Sequence, residues 1–340
     1  MPRKTTAKQV KHSRFVLKLS LGLLCAAACA VILIFIFSGS SSQARLISPY
    51  AEQTAEESVQ APAGTGNEPE LFARNLCVVT DESAQDPAVV SEAGIIFNRT
   101  TGEVLFSKNA YERLYPASVT KLMTCLVALK YGDLSSQVTV RYDMLANLDP
   151  ESSVCNIKDG DTLTLEQLLY GLMLPSGNDA ANAIAYGVAG SESAFVEMMN
   201  NEARQLGATD THFVNAHGLN DPNHYTTAYD IYLIFNELMN YNKFLEIIGA
   251  QEYTAEYTNN GQTVTNTWYR GIWYFGGQAE APDGVTVLGG KTGTTPEAQY
   301  CLSLASEDGN GNQYISVVLK APTREMLYSS MTALLSKIPK

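Results

Sequence analysis

Strand patterns stand near both ends of this chain and helix patterns fill the stretch between them, an order that restricts the fold more than any other feature. Ala93-Gly-Ile-Ile-Phe97 pairs naturally with Glu103-Val-Leu-Phe106 across the turn residues 98–102, giving an early hairpin. A second hairpin is expected where residues 302–306 and 314–320 flank Asp308-Gly-Asn-Gly-Asn312. Met326, Leu327, Met331 and Leu334 then suggest a closing helix. Strands at both ends with helices between them imply an α+β fold: an antiparallel sheet built from distant parts of the chain, flanked by helices and carrying an inserted, mostly helical lobe.

Ahead of that domain the composition changes twice. Arg3, Lys4, Lys8, Lys11, Arg14 and Lys18 precede the uncharged stretch 19–37, which is long enough to cross a bilayer as a helix. Cations on the amino-terminal side orient it with a basic tail, residues 1–18, in the cytoplasm, so the rest of the chain is expected outside. Ser42-Gln-Ala44 would suit a signal peptidase, but the length of the apolar core favours an uncleaved signal-anchor. Residues 38–75 hold Gly, Ser, Gln, Glu, Ala and Pro with few large apolar groups and read as a flexible linker to one large domain, 76–340. The net charge of −12 makes nucleic acid an unlikely partner.

Three short motifs in the domain carry chemistry. Pro116 and Ala117 open an apolar run, Leu122, Met123, Leu126, Val127 and Leu129, that ends at Gly132 and reads as a buried helix. Within its first turn lies Ser118-Val-Thr-Lys121, and helical i,i+3 spacing sets the amine of Lys121 beside the hydroxyl of Ser118. A serine hydroxyl needs a base, and a lysine serves as one only when burial or nearby cations pull its pKa down. Next, Thr164 and Gln167 form a capping box for a helix over 165–174 that stops before Pro175. Ser176-Gly-Asn178 is then an interhelical turn, with a new helix from 178 or 179 toward Gly190. Helix capping is the bland use of Ser176 and Asn178; relaying a proton and offering an amide to the base or substrate is the chemical one. Last, Lys291-Thr-Gly293 follows the strand-like 285–288 and Gly289-Gly290, and is expected as a turn before a second strand at 300–305. Lys291 would hold a substrate carboxylate, Thr292 would add a hydrogen bond, and Gly293 would let an acyl chain lie along the strand edge.

Taken together, these motifs resemble those of the penicillin-recognising serine enzymes. The surroundings are most similar to the D-alanyl-D-alanine carboxypeptidases of peptidase family S11, over about residues 90–335. The matching stretches are Tyr115-Pro-Ala-Ser-Val-Thr-Lys-Leu-Met-Thr124, Leu174-Pro-Ser-Gly-Asn-Asp-Ala-Ala181, Thr211-His-Phe-Val-Asn-Ala-His-Gly-Leu219 and Gly290-Lys-Thr-Gly-Thr294. The resemblance implies a serine β-lactamase/penicillin-binding-protein-like fold for 76–340, with Ser118 as the acylated nucleophile, Lys121 as its base and Ser176 as a further catalytic group. It implies Asn178, Lys291, Thr292, Gly293 and Thr294 as substrate-binding residues, with an oxyanion hole from the Ser118 and Thr294 amides. The substrate would be a peptidoglycan stem peptide ending in D-Ala-D-Ala, β-lactams would acylate the same serine, and the site would be extracytoplasmic on a bacterial membrane. Two departures stand out. Ala298-Gln299 precedes Tyr300 where the family often has Ala-Gly, and the family's frequent carboxy-terminal β-rich domain does not follow within these residues.

Other readings stay in view. A β-lactamase needs a deacylating glutamate, which class A enzymes carry in a Glu-x-x-Leu-Asn run downstream of the second motif; none follows Ser176, and Glu166 lies upstream of it. A non-catalytic β-lactam receptor needs a cytoplasmic output, for which residues 1–18 leave little room. His212, His217 and His224, with Asp210 and Asp221, raise a metal peptidase, but they lack an i,i+4 histidine pair with its glutamate and sit among loop residues, so neither metal nor cofactor is expected. The stretch around Asn215, His217 and Gly218 reads as a structural turn near the cleft. Cys125 is expected to be buried and free, with no obligatory disulfide; Cys77 and Cys155 remain open.

Overall fold

A computed structural model describes residues 86–146 and 148–339. The expected tail, anchor and linker (1–18, 19–37 and 38–75) and Cys77 lie outside the described residues. The chain begins with the anticipated hairpin, β1 (Ala93–Asn98) and β2 (Glu103–Lys108), then makes a 3₁₀ turn (Ala117–Thr120) into α1 (Lys121–Tyr131). The lobe follows: β3 (Gln137–Thr139), β4 (Asp161–Thr164), α2 (Leu165–Met173), α3 (Asn178–Ala189), α4 (Glu192–Leu206), α5 (Ala228–Leu238) and α6 (Asn242–Gly249). After β5 (Glu252–Asn259) and β6 (Gln262–Tyr269) the chain returns through β7 (Val285–Thr295), β8 (Gln299–Asp308) and β9 (Gln313–Ala321) to α7 (Arg324–Leu335).

The main sheet has the order β2-β1-β9-β8-β7, with every pairing antiparallel, so the first and last strands lie side by side at its centre. Its strands alternate between two cores. Ile95, Phe97, Ile315, Val317 and Leu319 face the helical lobe, whereas Ile96, Tyr314 and Val318 join the cluster that includes Leu327, Met331 and Leu334 of α7. A side-chain period of two lets one strand serve both layers, which is why these strands are apolar at nearly every position. Helix α1 lies in the larger core with Leu122, Met123, Leu126 and Val127 fully buried; each such side chain contributes roughly 1.5–3 kcal/mol.

The mostly helical lobe also carries a second antiparallel sheet, β3-β4-β5-β6. Its hairpin β5–β6 turns through Asn260-Gly261, with φ of 49° and 82° between paired Asn259 and Gln262, a two-residue turn of the Asn-Gly kind flanked by alternating Thr and Tyr. The Lys291 motif, moreover, is no turn, because β7 runs unbroken through it to Thr295. Gly289 admits a close neighbour from the protein itself: it has φ 150°, and a Cβ there would lie 2.2 Å from the Ile248 carbonyl oxygen at the end of α6.

Candidate active site

The first motif forms as the spacing requires. Ser118 sits in the 3₁₀ turn and Lys121 is the first residue of α1, so Lys121 Nζ comes within 2.9 Å of Ser118 Oγ. Ala117, immediately before the serine, takes a left-handed φ of 47°, a strained conformation for alanine. Lys121 is fully buried, while Ser118 remains partly open to solvent.

Two further acceptors surround the amine. Asn178 Oδ1 lies 2.6 Å from Lys121 Nζ and the His217 carbonyl oxygen 2.8 Å from it. A neutral amine has two N–H bonds and one lone pair, so these two acceptors take both hydrogens and leave the lone pair to face the Ser118 hydroxyl. Burial holds the Lys121 pKa well below the usual lysine range, and the neighbouring Lys291 cation pushes the same way.

The capping box on α2 is formed by Thr164 and Gln167, and α3 starts at Asn178 as expected. Ser176 and Asn178 are not the caps, however. Gly177 occupies the N-cap without a side-chain bond, and Ser176 adopts φ 64°, which leaves both polar side chains free for the cleft. The Ser176 hydroxyl accepts from Lys291 Nζ at 2.8 Å, and Lys291 also donates to the Thr292 carbonyl at 2.8 Å. Lys291 is buried on β7, which brings its pKa down to about 7.

Gly293 has a different use from the one expected. A Cβ there would stand 2.8 Å from the Pro116 carbonyl oxygen and 2.9 Å from the Ser118 amide nitrogen, so the glycine presses β7 against the turn that carries the serine. The main chains of Gly293-Thr294 and Ser118 are thereby set side by side. Thr292 is half-buried and Thr294 exposed; strand alternation puts both on the face opposite Lys291. The structure thus draws Ser118, Lys121 and Asn178 into one bonded cluster and Ser176 and Lys291 into another, with the Thr292 and Thr294 side chains outside both.

Two contributors were not anticipated. The His217 carbonyl belongs to a loop fastened to α1 by Thr124 Oγ1, which donates to the Ala216 carbonyl at 2.5 Å, and by Thr120 Oγ1, 2.8 Å from His224 Nε2. Asp179 accepts from the amides of Cys155 (2.8 Å) and Ile157 (3.1 Å), while the Asn178 amide donates to Ser153 O (2.8 Å), so a wall segment is pinned to the start of α3. The matched stretches around Asp179 and His217 were the only available signal. The three histidines serve as loop partners: His212 Nδ1 lies 2.7 Å from Asn223 O, and His217 Nδ1 accepts from the Leu219 amide. Burial, then the Lys121 charge, lowers the His217 pKa to about 3; burial also lowers His224 to about 4. Cys125, Cys155 and Cys301 are free and buried.

Comparison with known proteins bears on the same region. Residues 80–323 match the sequence model of the family described as D-alanyl-D-alanine carboxypeptidase, peptidase family S11. The chain is 35% identical over 271 residues to D-alanyl-D-alanine carboxypeptidase DacF of Bacillus subtilis (strain 168), covering 78% of this chain and 66% of that protein. It is also 35% identical over 264 residues to D-alanyl-D-alanine carboxypeptidase DacC of Escherichia coli (strain K12), covering 75% and 63%. The chain therefore spans slightly less than two thirds of the length of these two relatives. The crystal structure of the Streptomyces K15 DD-transpeptidase superposes with a TM-score of 0.68 at 31% identity, covering 75% of this chain and 98% of that one.

Proposed function

This chain belongs to the D-alanyl-D-alanine carboxypeptidase family of serine peptidases, S11, and from that premise we propose that it removes the terminal D-alanine from peptidoglycan stem peptides through an acyl-enzyme on Ser118. The observation that carries the reading is the 2.9 Å approach of a buried lysine amine to a partly open serine hydroxyl. In the reaction, the terminal carboxylate pairs with Lys291 and the penultimate carbonyl oxygen sits at the Ser118 and Thr294 amides. Ser118 Oγ bonds to the carbonyl carbon as its proton passes to Lys121 Nζ. The C–N bond then breaks as Ser176 relays to the departing amine the proton that Lys121 took up, which leaves the Ser176 hydroxyl intact and Lys121 neutral again, and D-alanine leaves. Water attacks the ester in turn, giving back the Ser118 hydroxyl and the shortened peptide.

Asn178 serves twice in this scheme, by orienting Lys121 and by offering its amide to the peptide backbone. Thr292 borders the carboxylate anchor, and Gly293 lets β7 reach the nucleophile. A β-lactam ring amide fits the same constellation and acylates the same serine. We further place residues 19–37 across the membrane with 1–18 inside, on the strength of the charge pattern alone. Among the described residues no helix is long and apolar enough to span a bilayer.

The test uses detergent-solubilised full chain, wild type and Ser118→Ala, with a D-Ala-D-Ala tripeptide and a fluorescent penicillin. D-Alanine release with a long-lived label, both absent in Ser118→Ala, supports the carboxypeptidase. Rapid loss of label with little peptide turnover would indicate a β-lactamase instead, and label without any turnover a receptor.

A further inference from the structure

The loop that holds Lys121 is itself held from the same helix. Ala216 and His217 are successive residues, and both carbonyls accept from α1: Ala216 O from Thr124 Oγ1 at 2.5 Å, His217 O from Lys121 Nζ at 2.8 Å. Lys121 and Thr124 stand three positions apart, so helical spacing puts the two donors on one face. In an extended chain consecutive carbonyls point to opposite sides, so this loop has to bend to aim both at one helix.

Asn215 makes the bend. Its Oδ1 accepts from the Gly218 amide at 2.7 Å and from the His217 amide at 3.3 Å, and its Nδ2 donates to Leu219 O at 3.0 Å. Two successive peptide planes are thereby pinned at both ends. In the plane that joins Ala216 to His217, Thr124 holds the oxygen and Asn215 takes the N–H. In the plane that joins His217 to Gly218, Lys121 meets the oxygen and Asn215 again takes the N–H. Gly218, with φ 91°, sets the bend against the nucleophile turn, since a Cβ there would lie 1.9 Å from Ala117 O.

Of the two α1 donors, the lysine is the group being oriented, so the threonine is the anchor. Thr124 and Ala216 are wholly buried. Without the hydroxyl, Ala216 O loses this partner in a place that water does not reach, and its peptide plane turns to find another. The His217 carbonyl, hinged to that plane at the His217 Cα, turns with it. A buried threonine bond between helix and loop also steadies any fold, and the two roles differ in where the loss appears.

We propose that Thr124 is a positioning residue of the acylation step, fixing the His217 carbonyl as one of the two acceptors that turn the Lys121 lone pair toward Ser118. The inference rests on Lys121 acting as the base in the proposed reaction.

The experiment follows labelling of the full chain by a fluorescent penicillin at rising concentration, normalised to titrated sites, which separates the acylation constant from the half-saturating concentration. Thr124→Val, of the same shape without the hydroxyl, should acylate about five- to tenfold more slowly with half-saturation unmoved, and Thr124→Ser, which keeps the bond, should stay within about twofold of wild type. If the valine variant does not fold, Thr124→Cys, whose thiol is a weak donor, carries the same expectation. A valine variant that labels at the wild-type rate per titrated site, even with a lowered Tm, overturns the inference and leaves Thr124 a packing residue. So does a loss confined to half-saturation, or a serine variant as slow as the valine one. Lys121→Ala separates the inference from the reading beneath it. Its acylation should be slower than that of every Thr124 variant. At the wild-type rate it removes Lys121 as the base and the positioning role with it, whereas a slow Lys121→Ala beside an unchanged Thr124→Val removes the positioning role alone.

Discussion

Lys121 Nζ stands 2.6 Å from Asn178 Oδ1, a contact that joins the start of α1 to the start of α3 across 57 positions of sequence. It decides which way the amine points. With Asn178 and the His217 carbonyl both accepting, the lysine is held by two fixed groups and its third direction faces the serine.

Replacing Asn178 with Ala should therefore loosen the base without removing it. Acylation by a fluorescent penicillin should slow by about ten- to a hundredfold, less than the 10²–10⁴ expected when a general base is lost outright, as in Lys121→Ala. Stopped-flow labelling of the two variants tests the order. Equal losses, or a faster Asn178→Ala enzyme, would contradict the orienting role.

The two lysines make opposite demands on pH. In the proposed reaction Lys121 must be neutral to accept the serine proton, so activity should rise with pH through its lowered pKa, on a limb below the ordinary lysine range. In the same proposal Lys291 must be charged to hold a carboxylate, and in the free protein its cation fades as pH climbs through about 7. A bound carboxylate pushes that pKa back up, so kcat/KM should fall above neutrality while kcat holds to higher pH. In Lys291→Arg the guanidinium stays charged, and the falling limb of kcat/KM should move upward. Profiles that superpose for wild type and this variant would remove Lys291 from the assignment.

Gly293 is a packing requirement of the nucleophile turn. In Gly293→Ala the new Cβ meets Pro116 O and the Ser118 amide at under 3 Å, both of them backbone atoms that cannot swing aside. The variant should lose about 1–3 kcal/mol of stability and most of its penicillin acylation. Thermal melting with parallel labelling checks this, and a variant that melts and labels like the wild type would show that β7 has slack there.

Farther from the cleft, Glu202 is buried and accepts from Lys130 Nζ at 2.8 and 3.0 Å and from Tyr131 Oη at 2.7 Å, tying α4 to the end of α1. Lys130 keeps about a third of its side chain in water (33%), so the cost of Glu202→Ala falls below that of breaking a wholly buried pair: about 2 kcal/mol, or a Tm lower by about 5 °C. Calorimetry measures it. An unchanged Tm would mean that the buried carboxylate contributes nothing net.

Much of this protein was legible in its sequence, and the legible parts share a physical reason. The Ser118–Lys121 pair, the capping box at Thr164 and Gln167, and the hairpins at 93–108 and 299–321 depend on neighbours within a turn or two. Helical spacing, strand alternation and turn chemistry fix them before any tertiary contact forms. Even the β5–β6 hairpin was readable from Asn260-Gly261.

Tertiary structure decided what local rules do not encode. Strand β7 continues through the Lys291 motif because β8 pairs with it as far as Thr295, whereas the glycines viewed alone suggest a break. Gly293 serves the nucleophile turn because Pro116 happens to lie against it. Lys291 meets Ser176 across 115 positions, and the His217 carbonyl closes on Lys121 across 96. The sequence by itself determined which groups could do acyl chemistry. Their burial, and with it the lowered pKa of both lysines, arises only when the lobe closes on the sheet, because desolvation depends on every segment that excludes water and not on spacing along one.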